Sequence, residues 1–101
     1  MANLLAVFRI VIGSTLAPET AEHIRYAALV SGIDGFTVSG AYGWTRQWGV
    51  EDTIIIETAA PAHAVEIFVS ILCNAAEQEC AYVTINGGSA ALWYDGRKEA
   101  L

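Results

Sequence analysis

The sequence predicts a single α+β domain spanning residues 1–101, with the element order β-α-β-β-α-β and a short extra C-terminal strand. Three observations carry this. Two stretches, each opened by a proline, repeat apolar residues at helical spacing. Runs rich in β-branched and aromatic residues flank them. The length, 101 residues, suits one ordinary domain able to bury roughly two thirds of its unfolded surface.

Taken in order, residues 4–12 alternate as a strand, with Phe8, Ile10 and Ile12 on one face. Gly13-Ser14-Thr15 leads into a helix opened by Pro18 and Glu19, both favoured in a first turn. Ala21, Ile24, Ala27, Ala28 and Leu29 form its apolar side, and Gly32 closes it. Asp34-Gly35 turns the chain into a second strand, Phe36 to Tyr42, and an aromatic connection leads to a third, Glu51 to Ala59. Pro61 opens a second helix, in which Ala64, Val65, Phe68, Ile71, Leu72 and Ala75 make the clearest helical stripe in the chain. A fourth strand, Cys80 to Ile85, turns at Asn86-Gly87-Gly88 into a fifth, Ala90 to Tyr94. This is the split, ferredoxin-like order, a scaffold that hosts many activities and by itself names none.

Composition narrows the partners. Eleven acidic residues against five basic ones give a net charge of -6, a poor surface for nucleic acid and a compatible one for a cationic ligand. Apolar residues make up 54% of the chain, more than one small core hides, so a subunit interface and an obligate oligomer are expected. Arg9 interrupts the first apolar run, and Glu66 and Ser70 interrupt the one from Val65 to Cys73, so no membrane span is expected. The N-terminus has no signal-peptide pattern, which leads to the expectation of a cytoplasmic protein with reduced thiols.

The common catalytic signatures are missing. No phosphate-cradling or dinucleotide-binding glycine pattern is present. His23 and His63 sit singly on helices, so no metal site is expected. Cys73 and Cys80 read as small buried hydrophobes. The unusual stretch is Tyr42 to Thr53, which places two indoles, a phenol, a guanidinium and two carboxylates where turn residues are the norm. Glu51 lies where this connection rejoins a sheet, the usual position of site residues and equally that of a solvated strand-end acid. Tyr42 would face it across the mouth of the same connection. Trp44 and Trp48 suit either a base-stacking surface or an interface.

The run Cys73-Asn74-Ala75-Ala76-Glu77-Gln78-Glu79-Cys80 resembles a Cys-Asn-x-x-Glu-Gln-acid-Cys segment of bacteriophage S-adenosylmethionine lyases, long described as S-adenosylmethionine hydrolases. Gly40-Ala41-Tyr42 with Glu51-Asp52-Thr53, and Ala90 to Tyr94, are similar to collinear segments of that family. The likeness spans residues 35–96 and is weaker before them; the Tyr42-to-Glu51 connection is shorter than the family's. Gly35-Phe36-Thr37-Val38-Ser39 leading to Arg46-Gln47 also looks PII-like. The resemblance implies a PII-like homotrimer with ligand sites between subunits and S-adenosylmethionine as substrate. No cofactor or metal is implied.

It also implies roles. Glu51 carries over as the essential acid serving the substrate's cationic end, and Tyr42 as its hydroxyl-bearing companion. Ser14 and Thr15, by position, would hold the substrate carboxylate, and Phe36, Trp44 and Trp48 would wall the adenine. In such an enzyme that carboxylate attacks the γ-carbon, closing homoserine lactone and releasing 5′-methylthioadenosine. A phage would thereby deplete the methyl donor of host restriction-modification. The competing readings are a non-enzymatic PII-like sensor of adenine nucleotides, which would need cations for phosphates from among Arg9, Arg25, Arg46, Arg97 and Lys98, and a purely structural trimer whose tryptophans bind a protein.

Overall fold

The computed structural model describes residues 5–88 with their side chains and the backbone of residues 90–94 and 97–100. The order is β1 (Ala6–Ile12), α1 (Pro18–Ser31), β2 (Thr37–Thr45), β3 (Gly49–Ala60), α2 (Ala62–Ala75), β4 (Cys80–Ile85), β5 (Ala90–Tyr94) and β6 (Arg97–Ala100). All strands join one sheet in the order β2-β3-β1-β4-β5-β6, and every neighbouring pair is antiparallel. Each helix carries the chain over a strand that pairs between the two it connects, which is how a split βαβ unit is built. The α+β, ferredoxin-like reading therefore stands, with β5 and β6 added at one edge.

β1 is the centre. It pairs with β3 from Ala6↔Ala60 to Ile12↔Ile54 and with β4 from Phe8↔Ile85 to Val11↔Tyr82. Strand side chains alternate between faces, so Phe8, Ile10 and Ile12 meet Thr58, Ile56 and Ile54 on one side, where all are buried. Both helices cover that side through Ile24, Ala27 and Ala28 of α1 and Val65, Phe68, Val69 and Leu72 of α2. The opposite face, carrying Val7, Arg9, Glu57 and Tyr82, is uncovered within the described chain.

The structure departs from the sequence reading in four places. Leu29 is 75% exposed, because α1 turns only Ile24, Ala27 and Ala28 fully inward. On α2, Val69 and Cys73 are buried while Ile71 and Ala75 are half-buried, a stripe rotated slightly from the expected one. The aromatic connection is not a loop: β2 and β3 pair up to Thr45↔Gly49, leaving a turn at Arg46-Gln47-Trp48. There the Trp48 backbone N–H donates to Thr45 Oγ1 at 2.9 Å. The Arg97-Lys98 tail forms β6 against β5.

Two helix ends matter for the site. Gly32 closes α1 with φ 80, its N–H donating to the Ala28 carbonyl at 3.0 Å. α2 has no glycine to stop it; Glu77 takes the left-handed conformation (φ 55), and the Gln78 N–H returns to the Cys73 carbonyl at 2.7 Å. Among the described residues no helix is long and apolar enough to cross a membrane. The packing predicts that Phe68→Ala costs about 3–5 kcal/mol in denaturant unfolding, whereas Leu29→Gln stays within about 0.5 kcal/mol; equal costs would contradict this assignment of the core.

Candidate functional site

Beyond the last covered turn of β1, the β2-β3 hairpin, the start of β4 and the segment after α2 converge. They enclose a cleft of about 640 Å³, walled by Gly13, Gly43, Trp44, Trp48, Glu51, Thr53, Glu77, Glu79, Cys80 and Tyr82 among others. Register places these groups. Glu51 pairs with Gly43, so its side chain and that of Thr53 project to the face away from the helices. Neither Gly13 nor Gly43 offers a side chain to compete for that space. A Cβ at Gly13 would stand 2.9 Å from Glu51 Oε1, and one at Gly43 would stand 2.6 Å from Thr53 Cγ2. At Gly43 the close approach of the Thr53 methyl favours glycine, whereas at Gly13 a side chain would displace the flexible end of Glu51.

Among the described residues the cleft is acidic: Glu51, Glu77 and Glu79 line it, and no described Lys, Arg or His does. The ion pair among the described residues, Arg25 to Glu22 at 2.7 Å, is elsewhere, on the exposed side of α1. Cys80 senses this charge: its thiol is pushed above its ordinary pKa by burial first, then by Glu79 and by Glu51. Cys80 is therefore held protonated, which argues against a thiolate nucleophile. It and Cys73 are not joined in a disulfide. No group of three or more His, Cys, Asp or Glu among the described residues is arranged to hold a metal ion.

The other side of the hairpin carries a smaller cleft of about 290 Å³, walled by Thr15, Leu16, Gly40, Ala41, Tyr42, Asp52 and Thr53. Here the Thr15 hydroxyl donates to Asp52 Oδ2 at 2.8 Å, and the Thr20 hydroxyl donates to the Thr15 carbonyl at 2.8 Å. Tyr42 pairs with Asp52 and is 83% exposed.

The structure thus divides the residues singled out from the sequence. Glu51 and Trp48 line the acidic cleft; Trp44 borders it too, but in the β2-β3 register its side chain shares the face of Tyr42 rather than that of Glu51. Tyr42 and Thr15 lie across the hairpin from it, because residues 42 and 51 have opposite parity in the β2-β3 register; Tyr42 does not face Glu51 within one chain. Ser14 opens onto a separate recess with Glu19, Thr20 and His23. Phe36 packs against the hydrophobic core and lies outside both clefts. Sequence reasoning passed over Gly13, Thr53, Glu77, Glu79, Cys80 and Tyr82 as site residues. Thr53, Cys80 and Tyr82 share one face of β3 and β4, which is visible only once a register is fixed, and Gly13, Glu77 and Glu79 are brought in by the segments after β1 and α2; nothing local in the sequence fixes either.

No protein-family model matches the chain, and no curated protein does. Its backbone is similar to the solved structure of a phage SAM lyase in its apo state, with a TM-score of 0.63 over 93% of this chain and 83% of that one. The two are 14% identical, so the likeness is one of fold.

The electrostatics give a direct check. Removing a neighbouring negative charge lowers a thiol pKa, so Glu79→Gln and Glu51→Gln should both speed alkylation of Cys80 near the ordinary thiol pKa of about 8.5. The larger effect is expected from Glu79→Gln, the stronger of the two charges acting on it. Unchanged rates, measured by mass spectrometry of iodoacetamide adducts, would remove these carboxylates from the surroundings of Cys80.

Proposed function

We propose that this chain is an S-adenosylmethionine lyase, acting as a PII-like homotrimer. The observation that carries the reading is the Glu51 carboxylate, set in a cleft with Trp48 and two further carboxylates and, among the described residues, with no cation lining it. Indole faces suit a purine and attract a cation. A carboxylate in a partly dry site binds a cation more strongly than it would in water. The Cys73-to-Cys80 motif that resembles the lyases supports the same reading, since its Glu77, Gln78, Glu79 and Cys80 form one rim of this cleft. Phosphates, which a nucleotide sensor would have to hold, meet like charge there.

The reaction asks little of acid-base groups. A sulfonium leaves without protonation, and the nucleophile is the substrate's own carboxylate. As the new C–O bond forms at the γ-carbon, the C–S bond breaks and its electron pair neutralises sulfur, giving homoserine lactone and 5′-methylthioadenosine. The protein has to hold the methionine arm folded for in-line attack, an orientation effect that reaches about 7–11 kcal/mol in favourable cases. Glu51 anchors the cationic end and Trp48 flanks the adenine, while Trp44, whose side chain shares the Tyr42 face, would reach an adenine from a neighbouring copy. Tyr42 and Thr15 lie across the hairpin from Glu51, so in this reading they reach a substrate from a neighbouring copy. Exposed Leu5, Val7 and Tyr82 on or beside the uncovered face of the sheet supply apolar surface for such packing. An enzyme of this kind, carried by a phage, would act in the host cytoplasm on the methyl donor.

Incubation with S-adenosylmethionine and mass spectrometry of the products tests the reading. 5′-Methylthioadenosine and homoserine lactone should appear, and Glu51→Gln should reduce their formation at least a hundredfold, the loss expected when about 3 kcal/mol of charged interaction is removed. Stable S-adenosylmethionine, or a fully active Glu51→Gln variant, would contradict it.

A further inference from the structure

Thr53 is a buried polar residue that the fold leaves without a hydrogen-bond partner. It is 8% exposed, and no described residue accepts from or donates to its hydroxyl. The other buried threonine shows the contrast: Thr58, 5% exposed, donates through Oγ1 to the Gly35 carbonyl at 2.6 Å. A buried hydroxyl without a partner costs stability, so such groups are rare and call for an explanation. Local geometry supplies part of one. The Thr53 methyl lies over Gly43, 2.6 Å from where a Cβ would stand, while Oγ1 lies 3.8 Å from that point. The methyl is thus the group packed on the neighbouring strand, and the residue forms part of the acidic cleft's wall. Thr53 also shares a strand face with Glu51, two residues away, which places the two about 6.7 Å apart along β3.

We infer that Thr53 is a ligand-binding residue whose hydroxyl, together with the Glu51 carboxylate, accepts hydrogen bonds from one primary ammonium group. The chemistry selects that group. A sulfonium has no N–H to donate, whereas an ammonium has three donors that diverge and need more than one acceptor. A carboxylate and a hydroxyl two residues apart on one strand face supply acceptors on either side of it. The inference rests on the proposed function, in which the ammonium is the α-amino group of the methionine arm. Thr53 then fixes the orientation of that arm and discriminates against adenosyl compounds lacking the amine.

The test uses S-adenosylhomocysteine, an uncleavable thioether whose α-amino group is its one primary ammonium, and the same compound without that group. Their affinities are measured by calorimetry on wild type, Thr53→Val and Thr53→Ser. Thr53→Val should bind S-adenosylhomocysteine about tenfold more weakly than wild type, as for loss of one hydrogen bond to a charged group, yet bind the des-amino compound as wild type does. Thr53→Ser, which keeps the hydroxyl, should restore S-adenosylhomocysteine binding. Ligand-free Thr53→Val should melt no lower than wild type, because it loses only an unpartnered polar atom. A marked fall in that melting temperature would reveal a structural partner for the hydroxyl and overturn the inference. So would an equal loss of affinity for both compounds, or no loss for either. If wild type binds neither compound, the functional reading fails and this inference fails with it.

Discussion

The register between β2 and β3 is the constraint on which the candidate site depends. From Thr37↔Glu57 to Thr45↔Gly49 the two strands pair without interruption, and that pairing decides which side of the sheet each residue of the aromatic hairpin serves. A slip of β3 by one residue would reverse its side chains, sending Glu51 and Thr53 toward the helices and Asp52 into the acidic cleft. Burial prevents the slip. Ile54 and Ile56 are wholly buried against β1 and the helices, so the hydrophobic core fixes the register and the register aims the carboxylate.

That placement gathers negative charge. Among the described residues three carboxylates border one cleft without a lining cation, and the Cys80 thiol is shifted upward by burial first and then by Glu79 and Glu51. Proteins tolerate clustered like charge where a ligand relieves it. A positively charged ligand would relieve it here, and the adjacent indole of Trp48 gives the same site affinity for a flat ring. Gly13 and Gly43 are part of this arrangement, since a side chain at either would displace Glu51 or press on Thr53.

Much of the fold was legible in the sequence because its signals are local. Pro18 and Pro61 mark helix starts, Gly32 marks a stop, and Phe8, Ile10 and Ile12 alternate as only a half-covered strand would. The extent of the hairpin is not legible locally because Gly43 and Gly49 look like turn chemistry, while cross-strand pairing carries the strands on to Thr45 and Gly49. Leu29 was placed inside by spacing, although α1 is too narrow in its contact with the sheet to bury it. The site was legible only in part. Glu51, Trp44 and Trp48 announce themselves by type, but Thr53 and Tyr82 join the site through strand pairing over long sequence separation, and Glu77 through the turn that ends α2. Phe36 and Ser14 were drawn in by proximity in sequence and are turned elsewhere by the fold.

The central claim is that this cleft recognises positive charge on an adenosyl compound. Equilibrium binding of sinefungin, which carries an ammonium where the substrate carries its sulfonium, against S-adenosylhomocysteine, which shares the α-ammonium but is a neutral thioether at that position, tests it most directly. The account predicts that wild type prefers sinefungin by about tenfold or more, and that the preference shrinks as salt is raised. Equal affinity for the two, or tighter binding of ATP than of either, would contradict it.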